Sequence, residues 1–421
     1  MNAGRDEAAP KAAAAAWAPA PFEGPVRHIY VHVPFCRARC DYCDFASEAV
    51  GAGGRAGAEV ARRLDAYVDG VVAEWERERA AHDVRRLHTL YLGGGTPSLL
   101  GPERLERLLE LFRPHLTPHA EVTVETNPED VDESYAAWAA AAAPGPAPGV
   151  RRGVRVSLGV QSFSAALRAV LGRTARADPV EAFGRLRAAG VASLGLDLIH
   201  GIPGQTPELL GADIATVLDL RPDRVSWYEL DVIEGTALAA RLAAAGGDPS
   251  AMPADPMDDV RAAGYRRIVR GLSRAGYDWY EVSNFALPGR KARHNVAVWR
   301  ARPYLGLGPA AVSTVGATRR TNAAGTAAWA AALAAGEAPP RVEEALDAAT
   351  RARERLFLAA RCGERVPLAE VAAVIDQTAA RTFAQAGLVS LHSGTIRVTR
   401  KGRHVADQLC VRLFRDQRLR E

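Results

Sequence analysis

The most constraining feature of the chain is a run of eight residues, Cys36-Arg37-Ala38-Arg39-Cys40-Asp41-Tyr42-Cys43, that follows the apolar stretch 29–33. A C-x3-C-x2-C loop leaving a strand gathers three soft thiolates in one small volume, the ligand set of an iron–sulfur cluster. A cubane has four irons, so three cysteines leave one iron open to a further ligand. Two other readings stand beside this one. Structural zinc asks for a fourth ligand, here His28, His32, Asp41 or Asp44, and commonly uses two C-x2-C halves. A disulfide would pair two thiols and strand the third, in a chain of 421 residues with five cysteines and no secretory signal. Cys362 and Cys410 stand far away in apolar helical contexts and read as buried side chains.

An open iron suits the amino and carboxylate groups of S-adenosylmethionine. An electron delivered through the cluster then splits the sulfonium, while the protein binds and aims the cofactor.

A chain of this length exceeds one ordinary core, and two or three domains are expected. With 48% hydrophobic and 24% charged residues it reads as a soluble globular protein. It has no run of 18 apolar residues that would span a membrane. The Ala-rich stretch 11–20 faintly resembles a secretory leader, but Asp6 and Glu7 spoil its basic start and Pro19 and Pro21 interrupt it. A cytoplasmic location is expected, and a reducing compartment is what an oxygen-sensitive cluster needs. The net charge of +4 is uneven, with eight basic residues between Arg397 and Arg420 against Asp407 and Asp416. That cationic end reads as a solvated helix face with a tail, or as a peripheral contact with an acidic partner or an anionic membrane surface.

Residues 1–24 are Ala/Pro-rich and expected to be disordered. Strand-like runs then occur at 29–33, 88–92, 121–125, 154–159, 193–199 and 224–230, with a further strand at 277–282. Between the first two, Val60, Leu64, Tyr67, Val68, Val71, Val72 and Trp75 recur at helical spacing. Pro102, Asp178-Pro179 and Thr206-Pro207 mark helix starts. Six successive β-then-α units give an α/β class and a parallel sheet curled into a partial (β/α)6 barrel, with ligands at the C-terminal ends of its strands. The low-complexity stretches 49–57 and 136–149 read as loop insertions. The barrel is assigned to 25–282, a connecting region to 283–340, and a helical, winged-helix-like module to 341–421. That module has helices over 343–361, 367–375 and 376–386, a hairpin of 388–391 with 395–399, and a final helix through Val411. Such modules bind nucleic acid or pack on a neighbour; packing is expected here, with no nucleic-acid partner.

Each strand end offers a candidate ligand. Gly93-Gly94-Gly95-Thr96-Pro97 brings open backbone near a ligand, with carbonyls for an ammonium group. Glu125 ends the third strand and can accept from ribose hydroxyls, or is a surface acid near a turn. Gln161 ends the fourth strand, and Arg173 follows twelve residues later, placed to pair with a carboxylate. Asp197 lies inside an apolar strand, where a lone acid is costly without a donor; a salt bridge and a ligand role both fit.

Taken together, Tyr30-x-His32-x-Pro34-Phe35-Cys36-x3-Cys40-x-Tyr42-Cys43-x-Phe45, the Gly93–Pro97 loop, Glu125-x-Asn127-Pro128, Gly159-x-Gln161-Ser162-Phe163, Leu171-Gly172-Arg173, Asp197-Leu198-Ile199-x-Gly201-x-Pro203-Gly204-Gln205 and Ser283-Asn284-x6-Arg290 resemble the radical SAM, oxygen-independent coproporphyrinogen III oxidase-like group. Within it the closer resemblance is to the HemW haem chaperone family, over residues 28–315. The oxidases carry another cysteine where this chain has Phe45. The resemblance implies a [4Fe-4S] cluster on Cys36, Cys40 and Cys43, with Tyr30, Tyr42, Gly94, Glu125, Gln161, Arg173 and Asp197 on S-adenosylmethionine. It implies that Gly95 and Thr96 line the space where the oxidases hold a second S-adenosylmethionine. Haem, haem-receiving proteins and an electron donor such as a flavodoxin, ferredoxin or quinone-linked reductase are the implied partners. The family's H-N-x-x-Y-W signature stands here as His294-Asn295-Val296-Ala297-Val298-Trp299, with Val298 in place of tyrosine. His294, near Arg290, Lys291 and Arg293, is a candidate haem ligand or a satisfied core histidine. The alternative activity is oxidative decarboxylation of coproporphyrinogen III.

Overall fold

A computed structural model describes residues 22–51, 57–142, 153–174, 177–244 and 256–415. Six strands, β1 (Val26–Val33), β2 (Val84–Gly94), β3 (Leu116–Thr126), β4 (Arg155–Gln161), β5 (Ser193–His200) and β6 (Arg224–Glu229), lie side by side in chain order, each parallel to the next. Their crossovers carry α1 (Ala58–Ala81), α2 (Pro102–Phe112), α3 (Glu133–Ala141), α4 (Ala165–Val170), α5 (Pro179–Ala188) and α6 (Pro207–Leu220). The six parallel strands expected of a partial barrel are all present.

Local chemistry explains these elements. On α1 the stripe of Leu64, Tyr67, Val68, Val71 and Trp75 is fully buried against the sheet, each side chain contributing about 1.5–3 kcal/mol. Asp178 accepts the Val180 N–H and Thr206 the Leu209 N–H, capping α5 and α6 ahead of their N-terminal prolines. The stretch 136–149, expected as a loop, begins inside α3 instead. Alanine is the best helix former, and the Asp132 carboxylate accepts the Tyr135 N–H to start the turn; residues 143–149 lie outside the described residues. Of the other insertion, 52–56 lie outside them too, while Glu48–Ala49 pair in parallel with Phe35–Cys36. Residues 1–21 are likewise outside; Phe22 is buried and its N–H donates to the Ala301 carbonyl.

The segment expected to connect the two units instead extends the main sheet. After α7 (Ala237–Ala244) and α8 (Pro256–Arg274), β7 (Asp278–Glu281) and β8 (Asn284–Ala286) add an antiparallel edge, with β8 against β6. Beyond α9 (Arg293–Trp299), β9 (Leu305–Leu307) joins the opposite edge in parallel with β1, making nine strands. A three-stranded antiparallel sheet follows, of β10 (Val312–Val315), β11 (Thr318–Asn322) and β12 (Arg341–Ala345), with α10 (Thr326–Ala334) between its last two strands. Residues 343–345 are therefore strand rather than helix, which begins only after the Asp347 cap.

The C-terminal module comprises α11 (Ala348–Cys362), β13 (Val366–Pro367), α12 (Leu368–Val371), α13 (Gln377–Gln385), the hairpin β14 (Val389–His392) and β15 (Thr395–Val398), and α14 (Ala406–Leu413). The hairpin is where it was expected; β13 widens it to three strands through Val366 opposite Ile396. Leu356, Val371, Ile396, Leu409 and Leu413 form a core of their own. Part of the basic C-terminal stretch packs on the barrel edge. The Arg403 guanidinium lies 3.9 Å from the Trp279 ring centroid and donates to the Trp279 carbonyl at 3.0 Å. Arg361 pairs with the buried Glu281 at 2.8 Å. Among the described residues no helix is long and apolar enough to cross a membrane.

Candidate active site

The cysteine loop is fixed before any cofactor is considered. Its ends are tied by Glu48 N–H to the Pro34 carbonyl (2.6 Å) and Val50 N–H to the Cys36 carbonyl (2.8 Å). At its tip, Asp41 N–H donates to Leu171, the Asp41 carbonyl accepts from Leu238, and the Asp41 carboxylate takes Arg241 at 2.5 Å. Gly172 allows this approach: its φ is +76°, and a Cβ there would fall 2.6 Å from the Asp41 carboxyl. Behind the loop, the His32 ring bridges the Tyr30 hydroxyl (3.0 Å) and the Ala46 carbonyl (2.8 Å). Gly94, at φ +106°, leaves room for that ring, which a Cβ would meet at 2.5 Å.

Cys36, Cys40 and Cys43 all line one cavity of about 320 Å³ at the C-terminal ends of the parallel strands. The same cavity is lined by Tyr42, Gly94, Gly95, Thr96, Glu125, Gln161, Arg173 and Asp197. The chain thus brings together, from five strand ends, the predicted site residues other than two. Tyr30 stands behind the wall, hydrogen-bonded to His32 and with its ring centroid 6.0 Å from that of Tyr91. His294 is buried elsewhere: its Nδ1 shares the Thr89 hydroxyl (2.8 Å) with His28, and its ring packs 5.1 Å from Tyr91. Burial holds its pKa down at about 3, with the Arg155 charge adding to the effect. In this structure the His294 imidazole is buried and hydrogen-bonded through Nδ1.

A hydrogen-bonded chain joins two of the thiols. The Thr96 hydroxyl donates to Cys36 Sγ (3.5 Å) and accepts from Asn127 Nδ2 (3.0 Å). Asn127 Oδ1 accepts from Arg173 Nη2 (3.0 Å), and Arg173 Nε donates to Cys40 Sγ (3.3 Å). Asn127 was not singled out as a site residue; its place two positions beyond Glu125 was the available signal. Glu125 accepts from the Tyr91 hydroxyl (2.6 Å) and the Gly94 N–H (3.0 Å). Burial raises its pKa to about 7, and Asp197 adds to the rise against the Tyr91 and Gly94 hydrogen bonds. Asp197 has its donor, the Ser157 hydroxyl at 2.8 Å, and no salt-bridge partner among the described residues. Gln161 ends its strand in a left-handed conformation, φ +66°, a strained geometry of the kind that clusters at ligand sites. Tyr228, Ile199 and Leu230 add apolar surface to the lining, and Glu229 and Asp231 add acids, none of which sequence reasoning singled out.

The donor set fits an iron–sulfur cluster. All five cysteines are free. Burial raises the Cys36 and Cys43 pKa values, and the neighbouring Cys40 adds to both, so three thiolates here call for a bound cation. Among the described residues, no three sulfur, imidazole or carboxylate groups close around one ion-sized point; a cubane asks each thiol to bond a different iron. The carboxylates, the guanidinium and the apolar patch suit a ligand that is zwitterionic at one end and nucleoside at the other.

Comparison with known proteins bears on family and fold. The Radical SAM superfamily model matches residues 30–215, and the HemN C-terminal domain model matches residues 346–405. Heme chaperone HemW of Mycobacterium tuberculosis (strain ATCC 25618 / H37Rv) is 37% identical over 395 residues, covering 92% of this chain and 95% of that protein. Heme chaperone HemW of Escherichia coli (strain K12) is 33% identical over 288 residues, or 68% of this chain and 69% of that protein. Among solved structures, coproporphyrinogen III oxidase (HemN) from Escherichia coli, a radical SAM enzyme, aligns with a TM-score of 0.73 over 92% of this chain and 89% of that one. At 23% identity that is a likeness of fold.

Proposed function

This chain belongs to the HemW haem chaperone family within the radical SAM superfamily, and we propose that it binds haem and passes it to haem-receiving proteins, on a scaffold holding a three-cysteine [4Fe-4S] cluster and S-adenosylmethionine. The observation that carries the cofactor half is one cavity bounded by Cys36, Cys40, Cys43, Arg173, Glu125 and Asp197. The haem half rests on the likeness to heme chaperone HemW of Mycobacterium tuberculosis along 95% of that protein's length. It is supported by Phe45, 61% exposed at the cavity, where the related oxidases carry a further cysteine.

When bound, the cluster and S-adenosylmethionine supply one-electron chemistry at the sulfonium. The chain's own residues do the rest. Cys36, Cys40 and Cys43 each give one sulfur to iron. Arg173, held by Asn127 and the Gly159 carbonyl, presents its charge to the cofactor carboxylate. The backbone of Gly94 accepts the ammonium, and Glu125 and Asp197 accept from hydroxyls. Tyr42 and Gln161 close the sides. Gly95 and Thr96 line any second S-adenosylmethionine space, and Tyr30 steadies the wall through His32. An electron donor of the flavodoxin, ferredoxin or reductase type and a cytoplasmic setting follow from the same reading.

The test is anaerobic reconstitution of the full chain. It should take up about four irons and four sulfides. Cys36→Ala, Cys40→Ala and Cys43→Ala should each abolish the cluster absorption, and Cys362→Ala and Cys410→Ala should not. A requirement for either distant cysteine would overturn the three-ligand site.

A further inference from the structure

We propose that Arg155 and Arg224 are positioning residues for the cofactor: from beneath the cavity they hold Glu125 and Asp197 as charged acceptors for its hydroxyls. This rests on the S-adenosylmethionine reading above. Side chains two apart on a strand share a face, and that step is about 6.6–6.8 Å. Glu125, Ser157, Asp197 and Tyr228 line the cavity. One step below the first three stand Thr123, Arg155 and Gly195, and Arg224 starts β6 on the face that carries Tyr228.

The register brings Arg224 across to the acids. Glu125 lies opposite Ser157, Ser157 opposite Gly195, and Gly195 opposite Arg224. The two residues between are small, and the guanidinium occupies the space over them: a Cβ on Gly195 would fall 2.2 Å from Arg224 Nη2. Asp197 is the next inward residue on that strand, and the Ser157 hydroxyl donates to it at 2.8 Å. Arg155 serves the other acid. Its Nη1 donates to the Thr123 hydroxyl at 2.9 Å, one step below Glu125, and lies 3.6 Å from Glu121.

Local bonding does not account for these cations. Arg155 and Arg224 are 6% and 2% exposed. Arg224 Nη2 reaches the Val156 carbonyl at 3.5 Å, while Arg224 Nε, Arg224 Nη1 and Arg155 Nε have no hydrogen-bond partner among the described residues. Buried donors left unpaired lower stability, and the two guanidiniums repel. Burial and the charge of Arg155 lower the Arg224 pKa to about 10, with Asp197 acting the other way. Cations retained under those conditions act through their charge, which a water-poor interior screens weakly. Burial raises the Glu125 pKa to about 7, and Arg155 opposes that rise. Tyr30, Tyr91, Asp197 and Tyr228 face the same carboxylate, and Arg155 is the cation among them.

The experiment measures S-adenosylmethionine affinity of the anaerobically reconstituted full chain by equilibrium dialysis, with the iron–sulfur absorption as the folding control. Arg155→Met should weaken binding about tenfold, the equivalent of one pKa unit. Arg155→Lys, which keeps the charge, should bring it back to within about threefold of the wild type, or half a unit. In a Glu125→Gln background the Arg155→Met change should add less than about threefold, because no charge remains there to support. Arg224→Met, read against Asp197→Asn, should follow the same pattern. It also decides the case in which Arg155→Met fails to assemble the cluster, since Arg224 donates to a backbone carbonyl and its removal strips no acid of a hydrogen bond. Equal losses in the acid and carboxamide backgrounds, no recovery with lysine, or no loss at all overturns the positioning role and leaves the cofactor reading standing. A wild type that binds no S-adenosylmethionine overturns both.

Discussion

Arg173 Nε stands 3.3 Å from Cys40 Sγ, and the other nitrogens of the same guanidinium donate to the Gly159 carbonyl at 2.7 Å and to Asn127 at 3.0 Å. One side chain therefore ties the cysteine loop to two strand ends. Burial works against its charge, but Tyr42 and Cys40 beside it hold its pKa above the usual arginine value.

Arg173→Ala removes all three donors together. The cluster should still assemble, since its thiols remain, while S-adenosylmethionine binding weakens by about ten- to a hundredfold, the loss of a charge-assisted hydrogen bond worth roughly 1.5–3 kcal/mol. Equilibrium binding to the reconstituted protein measures this. Unchanged affinity would reduce Arg173 to a structural clamp.

Glu74 makes a pH prediction remote from the cofactors. Its carboxylate, 1% exposed on α1, accepts from the Gly308 N–H, Asn322 Nδ2 and Trp329 Nε1. Burial nonetheless raises its pKa to about 7. A carboxyl whose folded pKa exceeds its unfolded value stabilises the fold at low pH, and that contribution is lost as pH rises from about 4.5 through 7. The wild type should therefore lose stability relative to Glu74→Gln across that window, by at most roughly 3 kcal/mol. Denaturant unfolding at pH 5 and pH 8 reads the difference; a stability of wild type minus variant that is flat or rises with pH contradicts it.

His294→Ala should cost about 1–3 kcal/mol of stability, because it opens a hole beside Tyr91 and removes one partner of Thr89. The haem spectrum should not change. A shifted Soret band at unaltered stability would make the imidazole an iron ligand instead.

The sequence made the site more legible than its support. Periodic apolar runs and capping residues such as Asp178 and Thr206 marked the parallel strands and their helices, strand ends located Glu125 and Gln161, and a lone acid inside an apolar strand located Asp197. The link from Cys36 through Thr96, Asn127 and Arg173 to Cys40 was hidden because its members lie on four separate loops and no local pattern joins them. β9 escaped notice because Leu305-Gly306-Leu307 is too short to alternate; only pairing with β1 makes it a strand. The Ala-rich start of 136–149 looked like filler, yet alanine's helix propensity and the Asp132 cap make it α3. At His294 the surrounding charge was visible in sequence, whereas its burial beside Tyr91 was not.

On the proposed function, this chain carries haem rather than making its precursor. The direct measurement incubates the reconstituted protein with S-adenosylmethionine, a competent electron donor and coproporphyrinogen III, and in parallel titrates it with ferric haem. Haem should bind at about micromolar concentration or tighter, and no protoporphyrinogen should form. Catalytic formation of protoporphyrinogen would contradict the proposed function and make the chain an oxygen-independent coproporphyrinogen III oxidase.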